Sequence, residues 1–175
     1  MKHKRLATML GVVGIVGGTF AVGTIAEAHR NHHDSPTAAE VEFARGTSDL
    51  MANTVVAALL QEISETTPAN VAQGNFSIGL IFNDHNRDMR LVGTLQPLSQ
   101  NDYPADGFER RALDSALTGV PTTSVERVDG QWYYRRSIPL RNSHPQCAMC
   151  HSNYSGLAAT EWVGALMLRV PADTD

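Results

Sequence analysis

The sequence predicts an α+β domain. Three stretches carry that expectation: a long early segment with apolar residues at every fourth position, an Asp-Gly pair between two runs of β-forming residues, and a late run with apolar side chains on both faces. The length of 175 residues fits one domain preceded by a targeting segment. At 42% hydrophobic and 18% charged, the chain is globular rather than disordered.

Residues 1–28 read as a secretory signal. Lys2, Lys4 and Arg5 form a basic start, Leu6 to Ala26 is uncharged, and Ala26-Glu27-Ala28 is a small-x-small cleavage site. The uncharged run is also long enough for an uncleaved anchor, the one route by which a membrane would be a partner. Either reading exports the rest of the chain, to the periplasm of a bacterium. Cleavage takes the basic count from 14 to 11 and the acidic count from 18 to 17, leaving −6 and no lysine. That balance excludes a nucleic-acid partner, which needs a basic face. Residues 29–35 form a flexible terminus containing His29, His32 and His33, and residues 36–175 form the single domain.

The first element is a helix from Pro36 to about Glu65, with Ser35 as its cap and Pro36 at its first position. Met51, Val55, Leu59 and Ile63 give it one apolar face. Thr66-Thr67-Pro68 ends it. Residues 69–83 are ambiguous: Ile78, Leu80 and Phe82 alternate as in a strand, but Gly74 and Gly79 weaken that pattern. A polar loop at 84–88 leads to a strand over 89–95. After a turn at Gln100 to Pro104 comes a helix from about residue 104 or 105 to Leu117, stopped by Gly119. Val125 to Val128 and Gln131 to Ile138 form a hairpin about Asp129-Gly130, and Pro139 closes its second strand. Trp132, Tyr134 and Arg136 share one face of that strand; Tyr133, Arg135 and Ser137 share the other. Residues 162–170 form the last strand.

Between the hairpin and the last strand lies Cys147-Ala148-Met149-Cys150-His151. The pattern Cys-x-x-Cys-His attaches a c-type haem: two thiols each add across a porphyrin vinyl group, and the following His ligates the iron. A redox disulfide and a zinc site using His144 and His151 are the competing readings. Export, the His directly after the second Cys, and the lack of any other cysteine favour one covalent haem c. The motif stands late in the chain and among strands, unlike the early motif of a small helical cytochrome. Residues before it must therefore build the far side of the haem. Met51, His85 and Met89 are the candidate distal ligands. For Met51 the alternative is core packing, and for His85 a plain loop histidine.

Four segments together resemble a known family: Asn101-Asp102-Tyr103-Pro104-Ala105-Asp106-Gly107-Phe108-Glu109, Trp132 to Pro139, the haem motif, and Gly164-Ala165-Leu166-Met167-Leu168-Arg169-Val170-Pro171. The chain is similar to exported single-haem c-type proteins with a PAS-like fold, long catalogued as a domain of unknown function. The resemblance covers roughly residues 40–171. It implies a PAS-like antiparallel sheet carrying the haem on one face, with a long N-terminal helix and the haem motif near the C-terminus. Trp132, Tyr133 and Tyr134 would then be haem-side or core aromatics, and Arg135 or Arg136 a partner for a haem propionate, with a solvated strand face as the alternative. Family members can carry a cysteine after the long helix, suited to the distal face. This chain has none there, and Ser152 replaces the usual Gly after the motif.

Together these readings predict a periplasmic haem protein that senses redox state or a small gas through a separate signalling or redox partner. A monohaem electron carrier is the alternative. A haem peroxidase or reductase ranks last, because no Arg-His distal pair is visible. Attachment would require the cytochrome c maturation machinery.

Overall fold

The structure, a computed structural model, describes residues 35–82, 88–93 and 100–173. The predicted signal, His29, His32, His33 and His85 lie outside the described residues. All described residues belong to one compact unit, His33–Asp175. Among them no helix is long and apolar enough to cross a membrane.

Helix α1 spans Ala38–Glu65. Its cap is Thr37, two residues later than Ser35. The reason lies in the sequence Thr37-x-x-Glu40: the Thr37 hydroxyl accepts from Glu40 N, and the Glu40 carboxylate accepts from Thr37 N at 2.8 Å. This reciprocal pair satisfies two of the free N–H groups at the helix start, which Ser35 with Ala38 cannot do. The ambiguous stretch is helix α2, Val71–Phe82. Its alternation is incidental, because the inward positions are Gly74, Ile78 and Phe82 at helical spacing, while Leu80 faces out. Asn70 forms the corner: its side-chain oxygen accepts from the Thr67 hydroxyl at 2.9 Å and its amide donates to Glu65 O at 3.0 Å.

Strand β1 is Met89–Gly93, and a 3-10 turn follows at Gln100–Asp102. Helix α3 is Gly107–Ala116, strand β2 Thr123–Val128 and strand β3 Gln131–Arg141. A single helical turn, α4, covers Cys147–Cys150, and β4 is Trp162–Pro171. The four strands form one antiparallel sheet in the order β1-β4-β3-β2. The predicted hairpin holds, with Asp129 at φ 51° and Gly130 at φ 91° in its turn.

Pro139 does not close β3, which runs on to Arg141 with Pro139 opposite Ala165. Ser137 N donates toward the β2 side, to Thr122 O, so by strand alternation Pro139 also turns its nitrogen to that side. There β2 has already ended at Thr123, so the missing N–H breaks no ladder bond.

The sheet is covered on both faces. Leu166 and Leu168 of β4 pack with Ala52, Leu59 and Phe82 of α1 and α2. Ala165 and Met167, one residue out of phase, pack with Phe108, Ala112, Leu113 and Ala116 of α3. Beside α3 lies a charged cluster. Buried Arg135 pairs with Asp106 at 2.8 Å and Glu126 at 3.2 Å, with its guanidinium over the Phe108 ring; buried Glu109 meets Arg90 at 3.3 Å. Such buried pairs fix orientation more than they add stability.

Two glycines separate packing from helix propensity. A Cβ on Gly164 would lie 2.5 Å from the backbone oxygen of Val92, so β1 and β4 approach where only glycine fits. On exposed Gly46, within α1, a Cβ meets nothing within 4 Å. Gly164→Ala should therefore cost about 1–3 kcal/mol, and Gly46→Ala should add about 0.5–1 kcal/mol. Urea denaturation of the two variants checks both signs.

Asp106 caps α3, accepting from Glu109 N at 2.9 Å. Burial raises its pKa, but the Glu109 and Phe108 N–H groups and the Arg135 guanidinium outweigh that and hold it below the usual carboxylate value. A carboxyl lowered in the folded state contributes stability above its unfolded pKa of about 3.9. That contribution is lost as the pH falls through the lower folded value. Asp106→Asn should thus flatten the acid limb of the stability–pH curve below about pH 5, measured by denaturant melts at stepped pH. An unaltered limb would show that Asp106 carries none of it.

Candidate functional site

The Cys-x-x-Cys-His motif sits in a loop closed at its base. Asn142 N donates to Glu161 O at 2.8 Å, and the Asn142 side chain donates to Leu157 O at 3.1 Å. Beneath this closure Arg141 lies over the Trp162 ring at 4.1 Å, joining the end of β3 to the start of β4. Gly119, at φ +81°, abuts the same indole, where a Cβ would fall 2.7 Å from the ring. The end of α3 and the mouth of the loop thus share one aromatic plate.

Within the loop, Cys147 N donates to His144 O and His151 N to Cys147 O, which winds residues 147–150 into one helical turn. Residues three apart on a helix share a face, so the two thiols project together. Both cysteines are free and partly buried. Burial pushes the Cys147 thiol pKa up, only partly offset by backbone hydrogen bonds at His144 and Cys147. Cys150 is raised by burial and then by its neighbour Cys147. Burial lowers the His151 pKa, against the opposing charge of Asp102. The imidazole is therefore neutral at pH 7, the form that ligates a metal.

Tyr154 completes the turn. Its ring stacks on His151 with centroids 4.5 Å apart and planes at 11°. Neither Tyr154 nor Asp102 is visible as a site residue in the sequence: an aromatic three residues past a histidine, or an Asp in a turn, carries no special spacing. Helix α2, equally unforeseen, is the neighbour of α4. It leaves Phe76 58% exposed and Leu80 43% exposed, four residues apart on its outer face, and Met149 of α4 is uncovered as well.

The remaining candidates lie elsewhere. Met51 packs with Ala44, Tyr134, Val170 and Ala172, which is the core-packing alternative named above. Trp132 joins that cluster, and Arg136 pairs with Asp49 of α1. At about 3.3 Å per strand residue, Trp132 lies roughly 30 Å along β3 from Arg141, where the strand hands over to the motif loop. The alternation placing Trp132, Tyr134 and Arg136 on one face is correct, but that face meets α1. Arg135, on the other face, is engaged by Asp106 and Glu126. Met89 packs against the Ala52, Leu59 and Phe82 cluster.

The donor set fits a haem c. Three buried polar atoms without a hydrogen-bond partner, His144 Nδ1, Gln146 Oε1 and His151 Nδ1, cluster in this one loop. Buried polar atoms are rarely left so, and each calls for an explanation; the other three among the described residues, on Ser48, Arg135 and Asp173, are scattered outside this loop. The paired thiols, the neutral imidazole and the uncovered apolar face of α2 match a porphyrin held by two thioethers. A zinc cage fits less well: among the described residues no three His, Cys, Asp or Glu side chains are placed to hold a metal ion.

An α+β domain with a Cys-x-x-Cys-His loop pinned at one end of its sheet is the class that fold and site define. The chain belongs to the Tll0287-like family, whose pattern it matches over residues 22–171. The comparison with curated proteins found no match.

The raised thiol pKa values have a direct readout. In the chain with both thiols free, Cys147 and Cys150 should react with iodoacetamide at pH 7.5 more slowly than a free peptide spanning residues 142–156, because the thiolate is the reactive form. Urea should abolish the difference. Mass spectrometry of the alkylated chain follows both rates.

Proposed function

We propose that this chain is a periplasmic c-type haem protein with a PAS-like fold, sensing redox state or a small gas and signalling through a separate partner. The observation that carries the reading is the pair of unbridged thiols on one helical turn, followed by a neutral, partly buried histidine and adjoining helix α2, whose outer face leaves Phe76 and Leu80 exposed. Cys147 and Cys150 hold the haem covalently and His151 binds the iron from the proximal side. The haem supplies an iron that can change oxidation state or bind a diatomic ligand. The chain's own residues seat it: the Asn142–Glu161 closure fixes the loop, and α2 offers apolar cover. Family membership agrees with the resemblance to exported single-haem proteins.

The state of the sixth iron position separates a sensor from a plain electron carrier. Met51 and Met89 are both engaged in core packing, which supports a sixth position not filled by either methionine. Export follows from the leader at residues 1–28, with maturation by the cytochrome c machinery on the periplasmic side.

Co-expression with that machinery should yield a chain that stains for covalent haem, and Cys147→Ala with Cys150→Ala should lose the stain. The ferrous spectrum of the native chain should shift on adding carbon monoxide or nitric oxide. A six-coordinate spectrum indifferent to both gases would assign the protein to electron transfer instead. Absence of covalent haem in the native chain would remove the proposal altogether.

A further inference from the structure

We infer that Tyr154 is the positioning residue for His151, fixing the plane of the imidazole that binds the haem iron. The inference rests on the haem reading proposed above, but its grounds are separate.

A metal-ligating histidine is usually oriented through its second ring nitrogen, which donates to a carbonyl or carboxylate. His151 lacks that device: its Nδ1 is buried and has no hydrogen-bond partner. Without such a bond the ring is free to turn about its χ2 torsion, a broad and soft one. What faces the ring is Tyr154, parallel to within 11° at a centroid distance of 4.5 Å. A flat neighbour at this distance resists rotation of the imidazole, because turning either ring drives an edge into the other's face.

The stack restrains only if Tyr154 is itself held, and it is held at three points. Its N–H donates to His151 O at 2.8 Å, and its carbonyl accepts from Leu157 N at 3.0 Å. Its phenol hydroxyl donates to Val163 O on β4 at 3.4 Å. Tyr154 as a whole is 7% exposed. The hydroxyl end is seated beside Gly93, where a Cβ would lie 3.6 Å from the oxygen. Gly93 is the partner of Gly164 across β1 and β4. The plane of His151 is therefore referred to the sheet, through one side chain that spans from the motif loop to β4.

The orientation of an axial imidazole relative to the porphyrin nitrogens is one of the levers by which a protein tunes iron, alongside ligand identity and burial. The test uses the full chain, exported and matured with haem, as Tyr154→Phe and Tyr154→Leu. Covalent haem is first quantified by stain and mass, then low-temperature EPR of the ferric form and the midpoint potential are recorded. Both variants should carry haem at the native level. Tyr154→Phe keeps the stacked ring and should keep the native g-values. Tyr154→Leu should broaden and displace them and shift the potential.

A haem-loaded Tyr154→Leu protein with native EPR and potential overturns the inference. So does a Tyr154→Phe protein displaced as far as Tyr154→Leu, which would assign the effect to the hydroxyl. If Tyr154→Leu fails to accumulate, Tyr154→Met, which also fills the space without a flat ring, takes its place under the same criteria. A native chain that carries no covalent haem would instead overturn the haem reading itself, a result distinguishable at the staining step.

Discussion

The structure depends on β4 being buried from both sides at once. Val163 to Leu168 are all buried, with alternate side chains facing α1 and α2 on one side and α3 on the other. Leu166 and Leu168 are essentially inaccessible, and burial of each contributes about 2 kcal/mol. β3 also pairs on both edges and meets α1 and α3, but it has no such continuous buried run. β4 supplies Val163 O to Tyr154 and Trp162 to Arg141, so the motif loop is fastened to the most constrained element of the fold.

This placement has a chemical logic. On the proposed haem reading, the site needs thiols that stay available until attachment and a histidine held in place afterwards. A loop alone would give neither. Closing the loop at Asn142 and Glu161 limits its freedom, and burial holds the thiols protonated and the imidazole neutral. Meanwhile the charged cluster of Arg90, Glu109, Asp106 and Arg135 anchors α3 on the opposite face. Arg90 also donates to the carbonyls of Asn101 and Tyr103, which fixes the turn carrying Asp102, the charge that opposes the effect of burial on His151.

Much of this was legible in the sequence, and the limits are physical. The long helix, α3, the Asp-Gly hairpin and the two faces of β4 follow from local periodicity and turn chemistry, which act within a few residues. The motif is legible because its chemistry demands fixed spacing. α2 was ambiguous because Ile78, Leu80 and Phe82 fit both periods, and only the packing of Gly74 against Thr66 and of Phe82 in the core decides between them. The end of β3 is not legible in the sequence, because the cost of Pro139 depends on whether a partner strand stands opposite, which is a non-local fact. Trp132, Tyr134 and Arg136 were assigned to one face correctly, yet which layer covers that face is set by topology. Tyr154 carried no signal, since its role arises from a ring geometry that spacing does not encode.

The early end of β2 leaves residues 138–141 of β3 without a strand on that side. An unpaired strand margin is the place where another chain can add by backbone hydrogen bonding and begin an aggregate. Here Pro139 stands in the middle of that margin with no hydrogen to offer, and Arg141, charged and exposed, stands at its end. A residue that reads as a strand terminator in the sequence thus keeps an incoming strand from zipping along the open edge. The motif loop springs from that same margin, so Pro139 and Arg141 guard the strand next to it against pairing at its edge.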